Sequence, residues 1–163
     1  MATITDTAQA PTPLSINEGA SKGMKLNIKW SDINALGTFA DNDTATFPIT
    51  MEAGYMLTDV AVKLVTAFDD SGSGDELNVE VGLTGGDVDA YISTAALHTD
   101  QTEITYVANT GAALDNENGV VFTTADALDI LITPNVSTGT DYSLNELTQG
   151  EFEVIVWYKD LNV

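Results

Sequence analysis

The densest run of chemistry-bearing side chains is "DDSGSGDE" within "AFDDSGSGDELNVEVG", Ala67 to Gly82. Asp69, Asp70, Asp75 and Glu76 crowd this turn, and carboxylates at that density suit calcium, which takes about six to eight oxygen ligands converging on one point. The run departs from the helix–loop–helix calcium pattern. Gly72 and Gly74 stand where side-chain ligands should alternate, and strand-like rather than helical sequence flanks it. Backbone chemistry gives the first reading: Gly supplies positive φ, and Asp and Ser bond local backbone. The run then joins a strand ending at Phe68 to one beginning at Leu77 as a β-hairpin. A calcium site assembled from several loops, with Asp69, Asp70, Asp75 and Glu76 as weak metal candidates, is the second reading. "DNDTAT" at Asp41 and "LDNENG" at Leu114 are acidic turns of the same kind.

Other chemistry is thin. His98 is the single histidine, so a His-rich metal site or a Ser–His–Asp triad has only this residue to draw on. The chain contains no G-x-G-x-x-G, phosphate-binding loop or G-x-S-x-G. Carboxylate pairs of the glycosidase kind occur by chance among 25 acids and carry no information. The expectation is a protein that is not an enzyme and needs no cofactor. Trp30, Tyr55, Tyr106, Trp157 and Tyr158 could line a sugar-binding surface, although packing a core is the ordinary use of such residues. Trp157 differs. With Ile155 it falls on the Glu151, Glu153 and Lys159 side of the last strand, and an apolar pair on a wet face marks a contact. A subunit interface is one reading of that pair; cover by a loop or by the N-terminal arm is the other.

Composition narrows the classes. Net charge is −20, from 25 acidic residues against 5 basic ones, all lysines. Such a surface repels nucleic acid and anionic membranes, and the bidentate phosphate fork of arginine is missing. Salt adaptation is an equal explanation of the acidity. With no cysteine, disulfides and thiolate chemistry are excluded. The start of the chain lacks a basic-then-apolar leader, and no uncharged apolar run is long enough to span a membrane, so synthesis in the cytoplasm is expected.

The elements that must position these residues read as strands. Residues 1–22 are rich in Thr, Ala, Pro, Gly and Ser without a period, and form a flexible arm that frays or docks on a neighbouring subunit. Pro11, Pro13, Leu14 and Ile16 join Ile155 and Trp157 as interface candidates. Residues 23–163 form one domain. Period-two alternation marks "MKLNIKW", "TATFPITM", "MLTDVAVKLVTAF", "ELNVEVGL", "ALDILIT" and "EFEVIVWYK", with "EITYVAN" and "GVVFTT" as weaker strands. Pro48 suggests an edge or a bulge in the second of these. "GGDVDAYISTAAL", with Asp87 as N-cap, is the one segment spaced as a short helix. About eight strands and one helix predict an all-β antiparallel sandwich, a jelly roll first and an immunoglobulin-like topology second.

The stretch "VAVKLVTAFDDSGSGDELNVEVGLTGGDVDAYISTAAL" resembles small virion proteins of tailed phages. The matching features are Thr66 and Phe68, the turn at Asp69 to Glu76, Leu77 to Gly82, then Gly86, Asp87, Asp89 and Tyr91. The ending "GEFEVIVWYKDL" is similar to the closing strand of that group. The resemblance implies a capsid decoration (cement) protein: a small oligomeric β domain, a trimer by analogy, bound through the major capsid protein to the head exterior. A tail, fibre or receptor-binding module of the virion is the alternative, and a calcium-dependent carbohydrate-binding sandwich a further one.

Overall fold

The computed structural model describes residues 3–5, 12–14, 21–70, 76–98, 106–108, 119–135 and 143–162. Alternation of apolar and polar residues builds almost all of it into strands. In chain order these are β1 (Thr3–Thr5), β2 (Thr12–Leu14), β3 (Ser21–Lys29), β4 (Thr44–Met51), β5 (Tyr55–Asp70), β6 (Glu76–Leu83), β7 (Ile92–His98), β8 (Tyr106–Ala108), β9 (Val120–Val121), β10 (Asp126–Asn135) and β11 (Leu147–Asp160). A short helix, α1 (Trp30–Ala35), follows β3, and a single 3-10 turn at Leu144–Glu146 precedes β11.

The strands form two sheets, ordered β1-β4-β10-β6-β7 and β2-β3-β11-β5-β8, with β9 added on β5. Setting aside the short β1, β2 and β9, the first strand pairs with the last (β3 with β11), the second with the second-last (β4 with β10), the third with β8 and β6 with β7, all antiparallel. That nesting is a long hairpin wound on itself, the jelly roll.

Period two puts one face of each strand inside. On β11, Phe152, Val154 and Val156 are fully buried and Tyr158 nearly so. Val60, Val62, Leu64 and Phe68 of β5 meet them from the same sheet. Leu128, Ile130 and Ile132 of β10 close the core from the other sheet. Pro48 pairs with Asp129 of β10, while the β1 partner on the other side reaches only as far as Thr46. The residue that cannot donate therefore sits where β4 is an edge.

Three expectations need correction. "GGDVDAYISTAAL" is not a helix: Ile92–His98 is strand β7, paired with β6. Val79 pairs with Ala95 and Val81 with Ile92, so three residues of β7 span two of β6. That bulge gives the buried positions 92 and 95 the three-residue spacing that a helix would also produce. Asp87 accordingly caps no helix. The short helix that does form begins at Trp30, read above as the end of a strand, and Asp32 accepts a hydrogen bond from the Lys29 N–H at 2.8 Å at its start. Finally, β5 and β6 lie in different sheets. The strands on either side of "DDSGSGDE" are therefore not a hairpin; residues 71–75 of that run lie outside the described residues. Alternation reveals strands; it does not reveal which sheet each joins.

Within the stretch expected as an arm, Thr3–Thr5 runs parallel to β4 and Thr12–Leu14 antiparallel to β3, both on the chain's own sheets. The loop after α1 is tied down at a distance. Asn145 accepts from the Phe39 N–H at 2.6 Å and donates to the Gly37 carbonyl at 2.9 Å, while the Ser143 hydroxyl donates to the Phe39 carbonyl at 2.9 Å. Asn145→Ala leaves the Phe39 N–H without its acceptor. A loss of about 1–2 kcal/mol and faster hydrogen exchange at the Phe39 amide are expected, read by denaturant melts and exchange mass spectrometry.

Candidate functional site

Alternation along β11 sends Glu151, Glu153, Ile155, Trp157 and Lys159 to the outside of the β2-β3-β11-β5-β8 sheet, all of them half-buried. Their cross-strand neighbours are set by register. Ile155 lies between Lys25 of β3 and Ala61 of β5, and Trp157 between Gly23 and Asp59. Glu153 binds the Lys25 ammonium at 2.7 Å and lies 3.7 Å from that of Lys63. Glu151 accepts from the Asn27 amide at 2.7 Å. At the strand end Lys22 meets Asp160 at 2.8 Å, which raises the lysine pKa and lowers that of the carboxyl.

The apolar pair is larger than it looks in the sequence. Met56 pairs with Lys159 on one side and with Val121 of β9 on the other. Val121 is 47% exposed, and Leu161, just past β11, is 53% exposed. Met56 and Val121 were not legible as part of this face because only the pairing of β5 with β11 and β9 brings them to it. Of the arm candidates, Pro13 and Leu14 occupy β2 opposite Met24 and Gly23, whereas Pro11 and Ile16 lie outside the described residues.

The acidic candidates are spread out. Asp69 is exposed near the end of β5, in register with Gln149. Asp70 ends β5 in one sheet, Glu76 begins β6 in the other, and Asp75 lies outside the described residues. Among the described residues no group of three or more His, Cys, Asp or Glu side chains is placed to hold a metal ion. His98 ends β7 opposite Glu76.

The opposite sheet carries a different acidic contact. Glu80 of β6 has its carboxyl pKa raised, first by burial and then by the charge of Asp89, while the Thr94 hydroxyl at 3.4 Å pulls it down. Asp89 is raised by its hydrogen bond with Asp87. Values raised in the fold mean that this contribution to stability is fully present below the ordinary carboxylate range and is lost as pH rises through the folded values. Glu80→Gln is therefore expected to stabilise the protein at neutral pH by about 0.5 kcal/mol or less after solvent screening. The gain should vanish under acid conditions that protonate the native Glu80, as paired melts would show.

Tyr91, at the end of the "GDVDAY" stretch, is fully buried. Its phenol has no hydrogen-bond partner among the described residues, and burial, with Asp126 nearby, pushes its pKa up to about 12. Its backbone N–H bonds the Val81 carbonyl at 2.9 Å. Tyr91 is thus an anchor that holds the β6–β7 connection onto the sheet.

No protein-family model matches this chain, and no curated protein matches it. Solved structures do. A chain of the cyanophage Pam1 capsid asymmetric unit superposes with a TM-score of 0.53 at 18% identity, over 94% of each chain. A chain of the capsid of Ralstonia phage GP4 superposes with a TM-score of 0.51 at 10% identity, over 98% of each. Phage capsid chains share this fold. The likeness covers nearly all of each chain and is one of fold.

Proposed function

We propose that this chain is a structural protein of a phage virion, a decoration protein that attaches to the outside of the head and stabilises the shell. The observation that carries the reading is the full-length likeness in fold to chains of two phage capsids. The resemblance of "TAFDDSGSGDELNVEVG" and "GEFEVIVWYKDL" to small virion proteins supports it independently. The partners in this reading are the major capsid protein and further copies of this chain, with a trimer as the assembly. The work is mechanical rather than catalytic. Burying a patch across two or more shell subunits resists the pressure of packaged DNA. An interface of about 1,600 Å² per contact is adequate, and repetition over a lattice multiplies it.

The test is quantitative peptide mass spectrometry of purified virions, counting this chain against the major capsid protein. A ratio near one to one, or a simple lattice fraction of it, is expected. A handful of copies per particle would move the chain to the tail or fibres, and its absence from particles would overturn the virion reading.

A further inference from the structure

All five basic residues of the chain lie on one sheet: Lys22, Lys25 and Lys29 on β3, Lys63 on β5 and Lys159 on β11. The strands of the other sheet carry neither lysine nor arginine. A chain of net charge −20 thus gathers its whole positive charge on one side of the sandwich. Three carboxylates there are already engaged, Glu151 by Asn27, Glu153 by Lys25 and Lys63, and Asp160 by Lys22. Lys29 and Lys159 form no ion pair among the described residues. Unmatched cations therefore flank an apolar centre of Ile155 and Trp157, extended by Met56 and Val121.

We infer that the outer face of β3, β11 and β5 is the surface that meets the shell, and that its partner is a carboxylate-bearing protein surface with an apolar patch opposite Ile155 and Trp157. The inference rests on the decoration reading and adds to it which side of the chain faces inward and what chemistry it faces. The physical ground is desolvation. Pressing the lysine-free sheet against a protein would bury the Glu80–Asp89 repulsion with no cation to offset it, and uncompensated buried charge is costly. The lysine face also carries Glu151, Glu153 and the exposed Asp59, but it alone holds ammonium groups: Lys25 and Lys63 offset Glu153, and Lys29 and Lys159, in no ion pair among the described residues, are placed to steer and orient an acidic partner. The strongly acidic remainder then points to solvent and to neighbouring copies.

The placement of the lysines makes the face readable. Purified virions and the free chain are treated with an amine-acetylating reagent, and modification is followed lysine by lysine by peptide mass spectrometry. In the dilute free chain Lys29 and Lys159 should react readily. On particles Lys25, Lys29, Lys63 and Lys159 should react more slowly, by about tenfold, as water is excluded from an interface core. Lysines that react on the particle as in the free chain would overturn the inference while leaving the decoration reading intact. Protection that grows with concentration in the free chain would give the face to a second copy. Protection in the dilute monomer would give it to the chain's own segments. Either result overturns the inference. Absence of the chain from particles removes the decoration reading and this inference with it.

A second measurement addresses the partner's chemistry. Lys29→Glu combined with Lys159→Glu changes two side chains at the margin of the apolar centre. Rebinding to shells freed of this protein should fall about tenfold and weaken with added salt, whereas Glu80→Gln on the other sheet should leave it unchanged. Rebinding insensitive to both charge reversal and salt would overturn the carboxylate-bearing partner.

Discussion

Gly150→Ala is expected to be among the most destabilising single-methyl changes in this protein, by about 3–5 kcal/mol when backbone strain and overpacking are combined. Two independent terms act together. Gly150 has φ of 130°, a conformation that L side chains rarely adopt. A Cβ built there would lie 2.2 Å from the Phe68 ring. The ring has nowhere to go, since Phe68 is fully buried and packs on Phe152 with centroids 5.9 Å apart. The cause lies in the pairing of β11 with β5, whose register shifts repeatedly between Leu147 and Phe152. Those irregularities leave Thr66 exposed and return Phe68 to the core, and Gly150 is the residue that lets the ring cross the neighbouring strand. Denaturant melts of the purified chain test the expectation. A loss below about 1 kcal/mol, the ordinary cost of a mid-strand change, would show that the strand relaxes around the methyl and that Gly150 is not needed for this packing.

The second large effect is expected at Gly82, in the "LNVEVG" stretch. A Cβ there would lie 2.1 Å from the Asp87 carbonyl oxygen and 2.3 Å from the Val88 carbonyl carbon. These are backbone atoms, so no side chain can swing aside. The connection between β6 and β7 folds back across Gly82, with the Leu83 N–H bonding the Asp87 carbonyl at 3.0 Å and the Gly86 N–H bonding the Leu83 carbonyl at 3.0 Å. Gly82→Ala must lift this connection from the sheet and draw the buried Tyr91 with it. A cost of about 2–4 kcal/mol is expected from overpacking and the lost hydrogen bonds. Hydrogen exchange should quicken at Leu83 and Tyr91 before the rest of the domain. Uniform exchange with an unchanged melting midpoint would show that the connection does not depend on close passage over Gly82.

These two glycines give physical content to two sequence patterns. The glycine closing "L-x-V-x-V-G" is the crossing point of a loop, and the glycine opening "GEFEVIVWYK" is a seat for Phe68. The "G-D-x-D-x-Y" stretch looked like the start of a helix. Its Tyr91 instead anchors the loop that Gly82 admits.

Alternation was enough to determine most of the strands and their inner faces. Phe152, Val154, Val156 and Tyr158 read as one buried row and are one, because a pleated backbone alternates its side chains whatever sheet it joins. The same logic placed Ile155 and Trp157 outside, and the missing N–H of Pro48 pointed to an edge or a bulge, of which the fold shows the edge. The class of fold followed, since that many short alternating segments can bury their apolar faces only as a sandwich or barrel. Tertiary structure alone decided the rest. The bulge in β7 gave Ile92 and Ala95 a helical spacing, so local period misled where a cross-strand irregularity set the geometry. Whether Phe68 and Leu77 belonged to one hairpin or to two sheets depended on partners far away in the chain. The gathering of all five lysines on one sheet was equally hidden. Lys25, Lys63 and Lys159 are scattered along the sequence and come onto one sheet only because the first, third and last principal strands of a jelly roll pair side by side.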